Sequence, residues 1–278
     1  MKILGLSGKK QSGKNTIANF ILGMELKANG FIRDHFIIQK DGRLWVSDMF
    51  GGDTDFEGYL DINRRNETMK AFVDNQIGPY IKFYSFADCL KELCIDILGI
   101  GEAQCYGTDE QKNSETNLKW EDMLGVITNE DKLSKDLEFN FTYHKPGNMT
   151  GREVLQFVGT NIFRKMKDNI WVEATLNKIS KDQSKYAIIT DLRFPNEVDG
   201  IQNVGGKVIR LTRAPFVEDN HLSECALDKE NFNWDKFDFI VDNENMDITQ
   251  QCDYIYDILE PIGYLPQRLD PSSKDKKE

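Results

Sequence analysis

Apolar residues are distributed along the chain in two alternating patterns. Short continuous apolar runs predict strands that are buried on both faces, whereas apolar residues at i, i+3, i+4 and i+7 predict amphipathic helices. The runs lie at residues 3–7, 80–86, 186–191, 207–212 and 237–241. Strands that alternate with helices are typical of a mostly parallel sheet. The pattern therefore predicts an α/β fold with a mostly parallel, five-stranded sheet flanked by helices.

Helices are predicted from the apolar repeats between these runs. The first repeat extends from about Lys14 to Asn29, and another lies near Trp171 to Ser180. Thr150-Gly-Arg-Glu153 has the pattern of a capping box, which predicts that a helix begins there. Three further helices are predicted from apolar faces that contain Leu90, Leu93, Cys94 and Ile97, then Val198, Ile201 and Val204, and finally Ile248, Cys252, Ile255 and Leu259.

Two segments do not follow the alternation of strands and helices. Residues 31–79 are rich in glycine and aspartate, and they contain a predicted hairpin that pairs residues 37–38 with residues 44–46. Residues 100–148 are polar and mixed in character. We interpret both segments as insertions that form a lid or bind substrate.

The composition is that of a soluble globular protein. The chain has 278 residues, of which 40% are hydrophobic and 29% are charged. We assign one domain to residues 1–265 and a charged, disordered tail to residues 266–278. No apolar run approaches the ~20 residues of a membrane span, and the N-terminus is predicted to be a core strand rather than a signal peptide. The sequence therefore predicts a cytoplasmic protein without a membrane partner.

The formal net charge of −11 limits the partners of the protein. Proteins that coat DNA or RNA need a broad basic surface, so this class is excluded. A small anionic substrate is not excluded, because a few arginines in a cleft can bind it. The five cysteines form no C-x-x-C pair, and the three histidines are far apart in the sequence. We therefore expect reduced thiols rather than disulfides or a zinc site.

A glycine-rich loop follows the first predicted strand. Residues 8–16, Gly-Lys-Lys-Gln-Ser-Gly-Lys-Asn-Thr, contain the Gly-x4-Gly-Lys spacing of a P-loop, which wraps the phosphates of a nucleotide. Backbone N–H groups and the positive end of the following helix attract phosphate oxygens, and Lys14 is placed to reach the β- and γ-phosphates. The loop departs from the pattern at Asn15, where Ser or Thr usually binds Mg²⁺, and Thr16 follows one residue later.

Charged residues also follow the third predicted strand, at the end where ligands bind in doubly wound sheets. Asp191 could act as a Walker-B-like carboxylate that holds Mg²⁺ or polarises a nucleophile; alternatively, it caps the next helix. Arg193 comes next, and a guanidinium suits phosphate because it binds two oxygens at once. Arg152 and Arg164 offer the same chemistry from the helical stretch, unless they are surface residues or ion-pair partners.

Other candidate residues have weaker signals. Arg213 precedes the loop at 214–224, which could close over the donor phosphates, and His221 and Glu224 lie within that loop. A set of aromatic residues could form a stacking wall for a base or could instead pack in the core: Trp171, Phe157, Phe163 and Phe194.

Taken together, these segments resemble the bacteriophage deoxynucleoside monophosphate kinase family. The matching motifs are Ser-Gly-Lys-Lys-Gln-Ser-Gly-Lys-Asn-Thr at 7–16, Phe-Ala-Asp-Cys-Leu-Lys at 86–91, Gly-Arg-Glu-Val-Leu-Gln-Phe-Val-Gly-Thr at 151–160, Trp171, Asp-Leu-Arg-Phe-Pro-Asn-Glu at 191–197 and His-Leu-Ser-Glu at 221–224. The resemblance implies an adenylate-kinase-like P-loop fold. It also implies that the enzyme, with Mg²⁺, transfers the γ-phosphate of ATP to deoxynucleoside 5′-monophosphates (dNMPs) and gives diphosphates for phage DNA precursor synthesis.

The resemblance further implies roles for individual residues. The residues expected to bind the ATP phosphates are Gly8, Lys10, Gly13, Lys14, Asn15 and Thr16. Those expected to bind the acceptor are Lys91, Arg152, Gly159, Thr160, Trp171, Asp191, Arg193 and Glu197. Within these sets, the expected catalytic residues are Lys14, Arg152, Asp191 and Arg193, and the expected Mg²⁺ ligands are Thr16 and Asp191.

Two other functions stay open at this point. A P-loop kinase could act on another small acceptor such as dephospho-coenzyme A, and a nucleotide-dependent switch or ATPase would need no acceptor. The sequence also leaves open which bases are accepted, whether ribonucleotides are excluded and whether the chain forms a homodimer. It does not decide whether Asp88 or Asp191 is closer to the metal. The family resemblance implies that the enzyme works in the cytoplasm of the host cell.

Overall fold

The computed structural model of the chain describes residues 1–49, 56–63, 67–128, 142–215 and 225–267. Residues 268–278 of the predicted tail lie outside the described residues, as do the loop candidates His221 and Glu224. The predictions made for these positions therefore stay predictions.

The chain divides into two compact units, the first formed by Met1–Ser85 and Thr175–Glu278 and the second by Phe86–Ala174. Each unit has its own cluster of buried apolar side chains. The single domain predicted over residues 1–265, with its two insertions, stays a prediction.

The first unit contains the predicted five-stranded parallel sheet. Its strands are β1 (Lys2–Ser7), β5 (Ile81–Tyr84), β10 (Tyr186–Leu192), β11 (Lys207–Leu211) and β12 (Phe239–Val241). They stand in the order β12-β11-β1-β10-β5, and each neighbouring pair is parallel. Leu4 and Ile188 in the two central strands are fully buried, which explains why these strands read as continuous apolar runs. Ser7 pairs with Leu192, so the P-loop and Asp191 start from the same edge of the sheet.

The first unit contains four described helices. They are α1 (Lys14–Ala28), α2 (Glu67–Phe72), which continues as a π-helical segment (Val73–Ile77), α8 (Pro195–Asn203) and α9 (Ile248–Leu259). Of these, α1 and α8 contact the five-stranded sheet directly. The predicted apolar faces of α1 and α9 join the sheet in one core. The face predicted for α8 is wrong at Val204, which is 53% exposed. The helix ends at Asn203 and the chain turns there, because the N–H of Gly205 bonds the carbonyl of Gln202.

The segment predicted as the first insertion contains a small antiparallel sheet. Its strands are β2 (Phe36–Ile38), β3 (Leu44–Met49) and β4 (Phe56–Leu60), which confirms the predicted hairpin and adds a third strand. Leu44 and Val46 are fully buried in the core of the first unit. In the turn between β2 and β3, the carbonyl of Gly42 accepts a hydrogen bond from Asn19 Nδ2 at 2.9 Å, which attaches the hairpin to α1.

The second unit is mainly helical. Its elements are α3 (Phe86–Asp96), α4 (Glu102–Tyr106), α5 (Asp109–Lys112), β6 (Glu115–Lys119), β7 (Val126–Ile127), β8 (Thr142–Tyr143), β9 (Asn148–Thr150), α6 (Gly151–Gln156) and a π-helical segment (Phe157–Arg164). The next helix, α7 (Ile170–Asp182), begins in this unit, which ends at Ala174. The predicted capping box is confirmed, because Thr150 Oγ1 accepts from the N–H of Glu153 and the Glu153 carboxylate accepts from the N–H of Thr150. The face predicted for α3 is wrong at Ile97, which lies beyond the end of the helix and is 73% exposed.

The membrane and cysteine predictions can be compared with the described residues. Among them, no helix is both long enough and apolar enough to cross a bilayer. The five cysteines all lie among the described residues, and they are not joined in disulfides. Burial, and to a lesser degree the neighbouring Cys105, raises the pKa of Cys94 to about 12. Cys94 therefore stays protonated at neutral pH and is a poor nucleophile.

Candidate active site

The P-loop has the expected position between β1 and α1. Gln11 and Gly13 both have positive φ angles, 58° and 100°, and these turn the chain sharply before α1. A Cβ atom at Gly13 would lie 2.8 Å from Gln251 Nε2. Gly13 is therefore required both by its backbone conformation and by the close approach of α9.

Lys14 lies with its ammonium group on the loop itself. Lys14 Nζ donates to the carbonyl oxygens of Gly8 and Lys9, each at 2.7 Å. Both acceptors are uncharged carbonyl groups of the loop, and they hold the ammonium close to the loop backbone. The geometry allows the ammonium to exchange carbonyl oxygens for phosphate oxygens, which form stronger, charge-assisted hydrogen bonds.

A layer of buried amides lies beneath the P-loop. Asn243 Nδ2 donates to the carbonyl of Ser12 at 2.8 Å and to Gln251 Oε1 at 3.1 Å, and both amide side chains are buried. Asn243 Oδ1 accepts from the N–H of Arg213 at 3.0 Å, and the Arg213 guanidinium donates to the carbonyl of Asn243 at 2.6 Å. Buried amides need such partners, so this layer fixes the loop from below. Sequence analysis missed Asn243 and Gln251.

A second network reaches the loop through Lys9. Lys9 Nζ lies 2.6 Å from Asp228 Oδ2, and Asp228 Oδ1 lies 3.4 Å from a guanidinium nitrogen of Arg210. The Arg210 side chain is only 7% exposed, and it also donates to Ser7 Oγ at 3.0 Å. Sequence analysis missed this network as well. An arginine inside the apolar run Val-Ile-Arg-Leu was the available signal, because a buried charge needs a partner.

Asp191 lies at the carboxyl edge of the sheet and is half-buried. Its carboxylate accepts a hydrogen bond from the Ser85 hydroxyl, which lies just beyond β5. At the start of the helix that follows, Glu197 Oε2 accepts from the N–H groups of Arg193 and Phe194 at 2.7 and 3.0 Å, as the N3 residue of a capping box does. Glu197 is 2% exposed, and both readings of Asp191, as a metal ligand or as a cap of α8, stay predictions.

The remaining loop candidates differ in exposure. Lys10, Asn15 and Arg193 are exposed, as expected of groups that bind a ligand from solvent. Thr16 is half-buried, and its hydroxyl packs against the hairpin turn, where a Cβ atom on Gly42 would lie 2.4 Å from Thr16 Oγ1. Among the described residues, no group of three or more His, Cys, Asp or Glu side chains could hold a metal ion. This finding still allows Mg²⁺, which uses one or two carboxylates together with substrate phosphates.

In the second unit, the Arg-x3-Leu-Gln-x2-Gly-Thr element forms α6 and the start of the π-helical segment. Its polar members Arg152, Gln156 and Thr160 are exposed, whereas Gly159 is buried. A Cβ atom on Gly159 would lie 2.7 Å from Leu90 Cδ2, so a larger residue would require the Leu90 side chain of α3 to move. The element therefore presents a polar face to solvent and packs its smallest residue inward.

Trp171 is tied to the same element. Its indole Nε1 donates to the carbonyl of Gly159 at 3.1 Å, and its ring packs against Phe163 at a centroid distance of 5.3 Å. Trp171 is 6% exposed, as is Phe157. These contacts are those of packing residues, and the roles of Trp171 and Gly159 in acceptor binding stay predictions.

The basic candidates of the second unit have partners close to them in the fold. Lys91 Nζ lies 4.5 Å from the centroid of the Tyr106 ring and 3.8 Å from Asp88 Oδ1. Arg152 donates to Asn113 Oδ1 at 3.0 Å and to Asp109 Oδ1 at 2.8 Å.

Comparisons with known proteins identify a family and two relatives that resemble the chain. The family model for deoxynucleotide monophosphate kinase matches residues 102–249, which is more than half of the chain. The chain is 29% identical over 173 residues to a putative deoxynucleotide monophosphate kinase of Acanthamoeba polyphaga mimivirus, a match that covers 58% of this chain and 75% of the relative. It is 36% identical over 77 residues to the deoxynucleoside-5′-monophosphate kinase of Escherichia phage T5, covering 27% of this chain and 25% of that protein.

The match of the family model contains Arg152, Gly159, Trp171, Asp191 and Arg193, and it begins after the P-loop. The P-loop is therefore supported independently, by its own motif and backbone. With an α/β fold, a parallel sheet and a family match over more than half of its length, the chain belongs to the deoxynucleotide monophosphate kinase family.

Proposed function

We propose that this kinase transfers the γ-phosphate of ATP to a deoxynucleoside 5′-monophosphate and releases ADP and the deoxynucleoside diphosphate. The observation that carries the proposal is the phosphate loop of the first unit. In this loop Gly13 has a left-handed conformation, and the Lys14 ammonium donates to the carbonyl of Gly8. Family membership supports the deoxynucleoside monophosphate as acceptor.

The donor phosphates would be bound by the P-loop. Its backbone N–H groups and the N-terminus of α1 attract phosphate oxygens. Lys14 would leave its carbonyl partners and bind the β- and γ-phosphates, where it neutralises the charge that develops during transfer. The proposed donor-binding residues are Gly8, Lys10, Gly13, Lys14, Asn15 and Thr16.

The available side chains fit Mg²⁺. Asp191 and Thr16 offer a carboxylate and a hydroxyl oxygen, and hard oxygen ligands are those that Mg²⁺ prefers. When bound, Mg²⁺ would withdraw charge from the transferring phosphate. We propose Asp191 as the principal protein ligand, because its carboxylate is half-buried at the sheet edge and is oriented by the Ser85 hydroxyl.

The acceptor phosphate would be bound by arginines. Arg152 and Arg193 are exposed, and each offers the two parallel N–H groups that a phosphate accepts. Thr160 and Lys91 would add a hydroxyl and a second cation. For Gly159, Trp171 and Glu197, whose contacts are internal, we propose that they shape the acceptor site through the backbone.

The proposal is tested by measuring ADP release with ATP, Mg²⁺ and each of the four dNMPs. The four ribonucleoside monophosphates and dephospho-coenzyme A serve as alternative acceptors. Turnover that depends on one or more dNMPs would establish the function and its base range. Release of ADP without any acceptor, or with dephospho-coenzyme A alone, would contradict the proposed acceptor and would leave the phosphate loop unaffected.

A further inference from the structure

The contacts of Arg152 occupy one defined edge of its guanidinium group. The group has two edges that can bind a pair of oxygens, one formed by Nε and Nη2 and the other by Nη1 and Nη2. Nε donates to Asn113 Oδ1 at 3.0 Å and Nη2 donates to Asp109 Oδ1 at 2.8 Å. The first edge is therefore held by two oxygens of the protein. Among the described residues, none accepts a hydrogen bond from Nη1, which belongs to the second edge.

Both oxygens come from the two ends of the short helix α5. Asp109 is its first residue, and Asn113 follows its last residue. The N–H of Asn113 bonds the carbonyl of Asp109 at 3.0 Å, which fixes the distance between them. The turn is capped by Thr108, whose hydroxyl accepts from the N–H of Gln111 at 3.3 Å and whose own N–H donates to Gln111 Oε1 at 2.9 Å. The capped turn of α5 therefore places two side-chain oxygens, Asp109 Oδ1 and Asn113 Oδ1, where they can accept from the two nitrogens of the guanidinium edge.

Local forces do not by themselves hold Arg152 in one place. The side chain is 46% exposed, so packing does not restrain it fully. It lies in the first turn of α6, where the positive end of the helix disfavours a cation. An unrestrained arginine also has about 2 kcal/mol of rotamer entropy to lose on binding.

The contacts with α5 add little to stability. Asp109 is 64% exposed, and exposed ion pairs contribute at most about 1 kcal/mol. Their main effect is on the orientation of the guanidinium, since two hydrogen bonds to one edge define its plane.

We propose that Asp109 and Asn113 are positioning residues for acceptor binding. They hold Arg152 by its Nε–Nη2 edge and present the Nη1–Nη2 edge to the phosphate of the incoming monophosphate. The helix α5, which lies within the segment predicted as the second insertion, would thereby act on substrate affinity through Arg152. This inference rests on the proposed role of Arg152 in the kinase reaction.

Steady-state kinetics of Asp109→Ala and Asn113→Ala test the inference. Each variant is expected to raise the KM for the dNMP about 3- to 10-fold. Without its partners, Arg152 is mobile in the free enzyme, and the cost of ordering it is then subtracted from the binding energy of the dNMP. The KM for ATP, kcat and the melting temperature are expected to stay unchanged. Asp109→Asn keeps an oxygen acceptor and should restore part of the loss. Glu110→Ala, on the same exposed turn, is the matched control and should have no effect.

A double-mutant cycle separates positioning from a general effect on the fold. In an Arg152→Ala background, Asp109→Ala should cause no further rise in the KM for the dNMP. A further rise of equal size would overturn the inference, as would a fall in KM in the single variant, which would show that Asp109 competes with the phosphate. If wild-type enzyme shows no dNMP-dependent turnover, the proposed function fails, whereas an unaffected KM in Asp109→Ala with an active wild type refutes the positioning role alone.

Discussion

The ammonium of Lys9 lies 2.6 Å from the carboxylate of Asp228, 219 positions later in the chain. This contact joins the phosphate loop to the segment that leads to β12. Because Asp228 also pairs with the buried Arg210, one carboxylate serves both the loop and a charge that has little access to water. The two partners of Asp228 therefore predict different consequences of mutation.

Asp228→Asn is expected to lower the free energy of unfolding by about 2–4 kcal/mol, because it removes the negative charge that pairs with the buried Arg210 guanidinium. Lys9→Met should cost less than about 1 kcal/mol, because the lysine is more exposed and the Arg210–Asp228 pair remains. Urea unfolding followed by circular dichroism measures both. Asp235→Asn, at an exposed position nearby, is the control, and equal losses for Asp228→Asn and Lys9→Met would contradict the assignment.

Lys14→Ala should reduce kcat by about 100- to 1,000-fold, since it removes a charge that stabilises the transferring phosphate. The contacts of Lys14 with Gly8 and Lys9 are to carbonyls of its own loop, so we expect little change in melting temperature. The measurement is ADP release at saturating ATP and dNMP, together with a thermal melt. Lys181→Ala, an exposed lysine on α7, controls for loss of a positive charge, and near-normal turnover in Lys14→Ala would rule out the P-loop role.

Arg193→Lys should raise the KM for the dNMP by about 10-fold, because an ammonium cannot reproduce the two parallel hydrogen bonds of a guanidinium. The hydrogen bond from the backbone N–H of this position to Glu197 is kept in the variant. Initial rates at varied dNMP and fixed, saturating ATP measure the effect. Unchanged acceptor kinetics would show that the side chain of Arg193 does not bind the phosphate.

Gly42→Ala should destabilise the fold more than Gly205→Ala, although both glycines have a φ of +80°. Both substitutions incur the strain of a left-handed conformation, about 1–2 kcal/mol. Only at Gly42 does the new Cβ meet another group, Thr16 Oγ1 at 2.4 Å, whereas the space around Gly205 is open. We therefore expect an additional loss of about 1–3 kcal/mol for Gly42→Ala. Chemical denaturation measures the free energy of unfolding of the two variants. Equal decreases in this free energy would show that the hairpin turn moves away from Thr16 without an energetic cost.

Asp238 should make the sheet edge sensitive to acid. Burial raises the pKa of Asp238, but hydrogen bonds from Lys207, Gln202 and the N–H of Val208 outweigh this effect and leave the pKa below its ordinary value. A lowered folded-state pKa stabilises the fold at pH values above the unfolded pKa of about 3.9, and this stabilisation is lost as the pH falls through the folded value.

Asp238→Asn is accordingly expected to cost about 1–2 kcal/mol at pH 7, and the difference from wild type should shrink below about pH 4. Urea unfolding at several pH values measures this dependence. A difference between Asp238→Asn and wild type that is constant with pH would contradict the assignment.

Much of the fold could be predicted because its signals are local. The apolar runs located the five parallel strands, and the capping box at Thr150 and Glu153 located the start of α6. The errors occurred where a helix ends. Ile97 and Val204 continue the apolar spacing but lie just beyond α3 and α8, because the backbone turns that end these helices override the spacing.

The candidate site was predicted less completely, because the choice of hydrogen-bond partner depends on distant residues. The sequence suggested Asp191 as a metal ligand or a helix cap, and the structure adds that Glu197 bonds the N–H groups of Arg193 and Phe194 just before α8. Asn243 and Gln251 belong to no sequence motif that would mark them as support for the loop. A buried amide can be recognised only when the groups around it are known.

The sequence by itself determined the strand–helix order, the glycine loop with Lys14 and the motifs that point to the kinase family. These features depend on the intrinsic conformations and polarity of neighbouring residues. Only the tertiary structure decided that Asp228 pairs with Lys9, that Asn243 supports Ser12 and that Asp109 and Asn113 hold Arg152. Such pairs form between residues that are distant in the sequence and meet only when the chain has folded, and that geometry is not encoded in local spacing.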